Sequence, residues 1–349
     1  MTDSTTPGLN RPRGPDLASE ELAGEDFTSI TGAFRTEILA HCYRMLGSAE
    51  EAEDLVQETY LRAWRSFAGF EGRASVRTWL YRIATNACLT AIERRGRRPL
   101  PSGLGAAASL PGRDAAGPVD LAAAVDVPWL QPFHVTAPAS SVIQDPAAIT
   151  ASRAGIRLAF IAALQYLPAR QRAVLILRDV LGWHAAEVAD LLGTTTTATN
   201  SALQRARAQL QQVAPSEDEI REPSDPGDLA MLNRYAAAFE NADMAALTEL
   251  LRDDAVLEMP PLPAWFAGRE HIALFLRTHL LRQPGEFAMV PTAANGQPAL
   301  GAYRRGPDGL FRANAIEVLT LTGSRIARIT VFLDPTLFPA FALPPALPS

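Results

Sequence analysis

The feature that most constrains this chain is the stretch from residue 99 to 149. It opens as PLPSGLGAAASLPGRDAAGP and runs into VPWLQPFHVTAPAS. It is rich in Pro, Gly and small residues and has no apolar period. A connection that long does not sit inside one compact domain, so it parts two. PSEDEIREPSDPGD, residues 215–228, is charged and proline-bounded and makes a second break. Residues 1–26 are polar and punctuated by Pro and Gly, the composition of a disordered arm. The expected organisation is therefore an arm at 1–26, a block at 27–98, a flexible linker at 99–149, a block at 150–213, a linker at 214–228, and a third block at 229–349 that ends in an apolar tail. Three folded units fit a length of 349 residues.

Several classes drop out at once. No apolar run approaches the ~18–20 residues of a membrane helix, and the N-terminus lacks the apolar core of a secretory leader. Cys42 and Cys88 both fall in apolar helical patterns and read as reduced core thiols. Two cysteines supply neither a disulfide scaffold nor a four-cysteine zinc site. The expectation is a cytoplasmic protein with no membrane segment, no cofactor and no metal. The net charge of −6 conceals a segregation. Residues 27–98 carry +3 and residues 150–213 carry +4, while 1–26, 99–149 and 214–349 carry −4, −3 and −6. Nucleic-acid binding follows local charge, so the two basic blocks are the candidates.

Both basic blocks read as helical. In DLVQETYLRAWRSF, Val56, Tyr60, Ala63, Trp64 and Phe67 share one apolar face, with Asp54, Gln57, Glu58, Leu61, Arg62 and Arg65 opposite. Ser75 reads as the N-cap of SVRTWLYRIATNACLTAIERRGRR. Val76, Trp79, Leu80, Ile83, Ala87 and Ala91 form its apolar stripe. Arg77, Tyr81, Arg82, Thr85 and Asn86 lie on a polar arc, and the helix ends in Arg94, Arg95, Arg97 and Arg98. In the second block, Arg157 to Leu167 and PARQRAVLILRDVLG are two helices. WHAAEVADLLG is a short helix closed by Gly193, and Thr194–Thr197 hold a turn and cap before a last helix to Val213. That is helix-turn-helix spacing. Thr199, Leu203, Ala206 and Leu210 point inward. Asn200, Ser201, Gln204, Arg205 and Arg207 remain outside, where amides and Arg forks can read base edges and phosphates.

The third block differs. DLAMLNRYAAAFENADMAALTELLRDDA reads as two helices with Asp243 capping the second, AVLEMPP as a strand, and GREHIALFLRTHLL as a helix. FAMVPTAANGQPALGAYRR and FRANAIEVLTLTGSRIARITVFLD contain strands, with Thr322-Gly323-Ser324 as a hairpin turn. Helices followed by antiparallel strands mean α+β. A pocket here would be lined by Tyr235, Phe239, Glu258, Trp265, Asn314 and Phe332. His271, Asp254 and Asp334 are candidate acid/base groups, and no spacing fixes them within reach of one another. A lone His on an Ile/Leu-rich helix is more often structural, and the block reads as regulatory.

These residues carry a resemblance. FRTEILAHCYRMLGSAEEAEDLVQETYLRAWRSFAGFEGRASVRTWLYRIATNACLTAIERRGRR resembles region 2 of bacterial sigma-70-type factors of the extracytoplasmic-function group. LPARQRAVLILRDVLGWHAAEVADLLGTTTTATNSALQRARAQL resembles their region 4. The third block resembles the SnoaL-like cone fold, and the arrangement is similar to the SigG-type subgroup. The implied architecture is multidomain. Two all-α sigma domains, a region 2 helical bundle and a region 4 helix-turn-helix, precede an α+β SnoaL-like cone domain. The implied function is a non-enzymatic factor that binds core RNA polymerase and directs promoter recognition and transcription initiation, with a regulatory C-terminal domain.

The resemblance also assigns roles. It places Asp54, Leu55, Gln57, Glu58, Leu61 and Arg62 on the helix that docks on the polymerase β′ clamp helices. It places Arg77, Thr78, Trp79, Arg82 and Asn86 at the promoter −10 element, with Asn86 against an extruded base. Asn200, Ser201, Gln204 and Arg205 fall on the −35 reading face and Arg207 on a phosphate. The family usually has Arg or Lys where Asn200 and Ala202 stand, which weakens backbone attraction here. Trp129–Phe133 lies in a linker that, in the family, threads toward the polymerase active-site channel; a sticky patch on either domain fits those residues equally. The cone fold hosts isomerases, cyclases, hydrolases and regulatory modules. A small-molecule ligand for the third block, and a SnoaL-like enzyme fused to a DNA-binding tether, therefore stay open as alternatives.

Overall fold

Gly47 sets the geometry of the first block. The helix before it, α1 (Arg35–Leu46), ends with Gly47 in the left-handed region at φ 71°. A Cβ there would stand 2.6 Å from Leu130 Cδ1, so the position needs glycine for both reasons. Ser48 then caps α2 (Ala49–Ser66) by accepting from the Glu51 amide, and Ser75 caps α3 (Val76–Glu93) by accepting from the Thr78 amide. Ile38, Cys42, Val56, Ala63, Leu80, Ala84 and Cys88 fill the space between the three helices.

In this computed structural model the described residues are 27–70, 72, 74–94, 98–103, 107–108, 128–134, 157–213 and 226–348. The expected arm at 1–26 lies outside them, as do Arg95, Arg97 and most of the two linkers. Among the described residues no helix is long and apolar enough to cross a membrane.

The second block is α4 (Leu158–Leu164), α5 (Ala169–Leu175), α6 (Ala185–Leu191) and α7 (Thr196–Val213). A π-helical turn, Ile176–Val180, extends α5. Between α6 and α7 the chain turns through Gly193 at φ 61°, and Thr195 Oγ1 accepts from the Ala198 amide. Thr199, Leu203 and Ala206 are buried as their spacing requires.

The third block packs α8 (Pro226–Glu240), α9 (Met244–Leu250) and α10 (Arg269–Phe275) on one face of a seven-stranded sheet. The strands are β1 (Leu251–Glu258), β2 (Trp265–Ala267), β3 (Phe287–Ala294), β4 (Gln297–Arg305), β5 (Phe311–Thr322), β6 (Arg325–Phe332) and β7 (Ala346–Leu347). Their order is β2-β1-β6-β5-β4-β3, with β7 beside β5 and only β1 and β6 parallel among the described pairs. On the helix side Phe239, Leu257, Phe266, Leu300, Leu319 and Ile329 form a core. The opposite face, with Ala299, Tyr303, Ile316, Val318 and Phe332, belongs to a second core shared with the helical blocks. The tail lies on that face. Phe338, Phe341 and Leu343 are buried, and a Cβ on Gly301 would stand 2.6 Å from Leu343.

Inside the helix-side core, Tyr235 donates to Glu317 Oε2 at 2.8 Å. Burial raises the Glu317 pKa from 4.5 to about 7, against the opposing pull of that hydrogen bond. The unfolded carboxyl loses its proton first as pH rises, so this group destabilises the fold progressively from about pH 4.5 to about pH 7. Over that window it removes stability on the order of 3 kcal/mol. Urea unfolding of Glu317→Gln should lack this decline; an unchanged pH profile would show that another group causes it.

Candidate nucleic-acid interface

On α2, Asp54, Gln57, Leu61 and Arg62 are exposed, and Leu55 and Glu58 are half-buried. Arg62 Nε donates to Glu58 Oε1 at 2.6 Å, an i,i+4 pair that presents one rigid polar edge beside Leu61. Leu61 is 50% exposed. Periodicity placed Trp64 on the buried face, but it is 38% exposed and meets Phe27 edge-on at 5.4 Å. Thr59 takes the inward place instead, its hydroxyl donating to Leu55 O. Leu61 and Trp64 thus form an exposed apolar pair three residues apart.

On α3, Arg82 and Asn86 are exposed, and Arg77, Thr78 and Trp79 are half-buried. Arg77 pairs with Glu37 at 2.7 Å, and Trp79 packs on Phe70 with ring centres 4.8 Å apart. Two residues of the expected polar arc are buried. Tyr81 donates to Glu37 and meets His41 and Trp183 edge-on, and Thr85 hydrogen-bonds His41 at 2.9 Å. The exposed arc is narrower because His41 of α1 and Trp183, just before α6, cover it from two sides. Burial lowers the His41 pKa to about 3, with Arg44 adding to the effect, so this imidazole is neutral. Of the terminal arginines, Arg98 is held in an ion pair with Glu51 at 2.6 Å.

On α7, Asn200, Gln204, Arg205 and Arg207 are exposed and Ser201 is half-buried. Arg207 makes two bonds to Asp179, at 2.9 and 2.7 Å, which fix its guanidinium at the edge of this face. Asn200, Gln204 and Arg205 therefore present the unobstructed donors and acceptors. A bond between Arg82 Nη2 and Asp190 Oδ2 joins α3 to α6 across the two helical blocks.

The candidate pocket of the third block is divided by the sheet. Tyr235 and Phe239 lie on the helix side, and Phe332 on the other. Glu258 alternates with Leu257 and so faces away from the helices. It accepts from Ser102 Oγ at 2.8 Å, Arg328 Nη1 at 2.7 Å and Thr330 Oγ1 at 3.2 Å. Trp265 pairs with Glu258 at the sheet edge, and its carbonyl accepts from the Ala108 amide. Asn314 is the extra residue of a β-bulge opposite Ala302 and Tyr303. His271 Nδ1 lies against Ala267 O, Asp254 pairs with Arg252, and Asp334 Oδ1 accepts from Thr336. The acid/base candidates are thus each engaged elsewhere. Among the described residues no cluster of His, Cys, Asp or Glu is placed to hold a metal ion.

The residue that sequence reasoning missed is Asn295. With Gly296 it forms the two-residue tip between β3 and β4, both at positive φ. Asn295 is nevertheless fully buried. Its amide donates to Phe133 O at 2.7 Å, its Oδ1 accepts from the Phe133 amide at 2.9 Å, and its Nδ2 donates to Tyr43 Oη at 2.7 Å. Tyr43 in turn donates to Gln131 O and stacks on Phe133 at 4.5 Å. One side chain thus ties α1, the linker segment 128–134 and the third block together. The Asn-Gly pair signals the turn, but nothing local signals that a turn tip will be buried. Gln297 adds a second tie by accepting from the Leu158 amide at 2.9 Å.

Three parts of the chain match known protein families. Residues 32–98 match Sigma-70 region 2, residues 157–210 match Sigma-70, region 4, and residues 232–329 match the SnoaL-like domain. The chain is 48% identical over 324 residues to the ECF RNA polymerase sigma factor SigG of Mycobacterium tuberculosis (strain H37Rv), covering 92% of this chain and 85% of that protein. It is 27% identical to SigJ of the same strain, over 88% of this chain and 91% of the other. The crystal structure of M. tuberculosis SigJ superposes with a TM-score of 0.59 at 22% identity, covering 94% of this chain and all of that one, which shows a common fold. With two sigma regions in order and a near full-length relative, the chain belongs to the extracytoplasmic-function RNA polymerase sigma factors of the sigma-70 family, in a form that carries a C-terminal SnoaL-like domain.

Proposed function

We propose that α2 docks on the β′ clamp helices of core RNA polymerase through Asp54, Leu55, Gln57, Glu58, Leu61 and Arg62, with Trp64 extending the apolar contact. Arg77, Thr78, Trp79, Arg82 and Asn86 open and hold the −10 element of promoter DNA. Asn200, Ser201, Gln204 and Arg205 read the −35 element, and Arg207 positions the backbone. The C-terminal domain acts in the cytoplasm as a regulatory module and not as an enzyme, holding the two sigma blocks in a closed arrangement. The observation that carries this regulatory reading is the Asn295 tie between Tyr43 and Phe133. Closure also engages Arg82 with Asp190, so a residue assigned to the −10 element is occupied until the blocks separate. A small molecule that prefers one arrangement shifts the population by its differential affinity.

Two experiments test the assignments. Leu61→Ala or Glu58→Arg should weaken core binding by about 1–3 kcal/mol without loss of fold. Unchanged capture by core polymerase would remove α2 from the interface. Arg205→Ala should weaken binding to a −35 duplex by about 1–3 kcal/mol and relax its sequence preference. Asn86→Ala should spare that duplex and reduce permanganate reactivity at −10. If both variants lose duplex binding equally and melt the promoter normally, the two-site assignment is wrong.

A further inference from the structure

The helix side of the third block carries a cavity of about 500 Å³ at the end of the sheet where β5 turns into β6. Met231, Leu250 and Leu321, all buried, give it an apolar floor. Three cations also line it, Arg234 from α8, Arg269 from α10 and Arg325 from β6, with one carboxylate, Glu249 of α9. Residues 214–349 carry a net charge of −6, so three arginines from three elements meeting at one cavity run against the balance of the block. Like charges brought together repel, and an anion between them relieves that cost. The three differ in what they already hold. Arg269 is committed to Asp253 at 2.8 Å. Arg325 donates from Nη1 to Leu251 O at 3.4 Å, and its Nε and Nη2 have no acceptor among the described residues. Arg234 is exposed and makes no hydrogen bond or ion pair among the described residues. Glu249 is exposed and pairs with none of the three. Two guanidinium groups with open donors thus border an apolar floor, the combination of a few convergent polar groups and buried carbon that marks a small-molecule site.

We propose that this cavity binds an organic phosphate monoester, its phosphoryl oxygens on Arg234 and Arg325 and its apolar body on Met231, Leu250 and Leu321. One guanidinium fork covers both oxygens of a carboxylate, whereas the three oxygens of a phosphoryl group serve two forks at once. Glu249 lowers the net charge of the rim, so charge alone does not hold an anion there and the apolar body has to contribute. All the residues involved belong to the third block. The binding is therefore independent of the regulatory role proposed for that block, and is measured without polymerase or promoter.

The probe is phenyl phosphate, titrated by calorimetry into the full chain, with inorganic phosphate and benzoate titrated in parallel at equal ionic strength. Saturable one-site binding of phenyl phosphate is expected, about tenfold or more tighter than either of the others. Arg234→Ala and Arg325→Ala change exposed side chains and should leave the fold intact, and each should weaken binding about tenfold or more. Arg304→Ala is the control. It removes the same charge from an exposed position opposite the start of β5, at the far end of the sheet from the β5–β6 turn, and should leave binding unchanged. Absence of saturable binding, or undiminished binding in either Arg234→Ala or Arg325→Ala, would overturn the site. An equal loss in Arg304→Ala, or inorganic phosphate binding as tightly as phenyl phosphate, would reduce it to a general attraction of anions and overturn it as well. Benzoate binding as tightly as phenyl phosphate would overturn the assignment to phosphate monoesters.

Discussion

Phe338→Ala should destabilise the C-terminal domain by about 3–5 kcal/mol, the cost of emptying a large, well-packed aromatic site. Phe338 is fully buried and meets Tyr303 edge-on, ring centres 5.0 Å apart. It sits over Gly301, where the strand has no side chain to collapse into the space. Its carbonyl accepts from the Leu343 amide, so the ring and the turn that returns Leu343 to the sheet depend on each other. Tyr303 Oη donating to Pro344 O and the β5–β7 pairing then hold the chain end. Leu337, half-buried on the same short helix, serves as the control, since truncating it removes little buried surface. Urea unfolding of the full chain measures both. A Phe338→Ala loss no larger than that of Leu337→Ala would mean the tail is not part of the core.

Asn295→Gly should release the linker while leaving each block folded. Glycine keeps the positive φ that the turn requires, so the change isolates the side chain. What is lost is the acceptor for the Phe133 amide and the donor to Tyr43 Oη. Burial pushes the Tyr43 phenol well above its usual range, so it stays neutral and keeps donating to Gln131 O. Each unsatisfied buried partner costs about 1–3 kcal/mol. Both costs fall on the closed arrangement and not on either domain core. Hydrogen exchange at Phe133 should therefore accelerate by a factor on the order of 10–100, with the amides of β4 and α3 unchanged. Uniform acceleration across the third block would instead show that Asn295 serves the fold of that domain.

Much of this molecule was legible from residue spacing. Ser75 and Asp243 cap the helices they were expected to cap, and Gly193 turns α6 into α7. Local chemistry determines these features. What could not be read is what depends on distant packing. Trp64 is 38% exposed although Phe27 packs edge-on against it, while Thr59 is fully buried with its hydroxyl on Leu55 O. Tyr81 and Thr85 are buried because His41 and Trp183 lie against α3. The proposed pocket lining failed as a set because strand alternation sends Glu258 to the face opposite Tyr235. The sequence holds opposite charges on the sigma blocks and the third block, yet the named ties between them are hydrogen bonds and stacked rings around Asn295 and Phe133. Charge sums report attraction, whereas the joint is built from shape and directional bonds. Trp129–Phe133 illustrates the same point: the peptide is held against Gly47, Ser48 and Tyr43, a place that no local pattern encodes.

The most direct test of the account is run-off transcription from one promoter with core RNA polymerase and three proteins: the full chain, Asn295→Gly, and a chain ending at Val213. All three should initiate at the same start site, and both altered proteins should give more transcript than the full chain, because neither is held closed. Equal transcript from the three would contradict a C-terminal domain that restrains the sigma blocks, and no transcript from any of them would contradict the promoter-directing function itself.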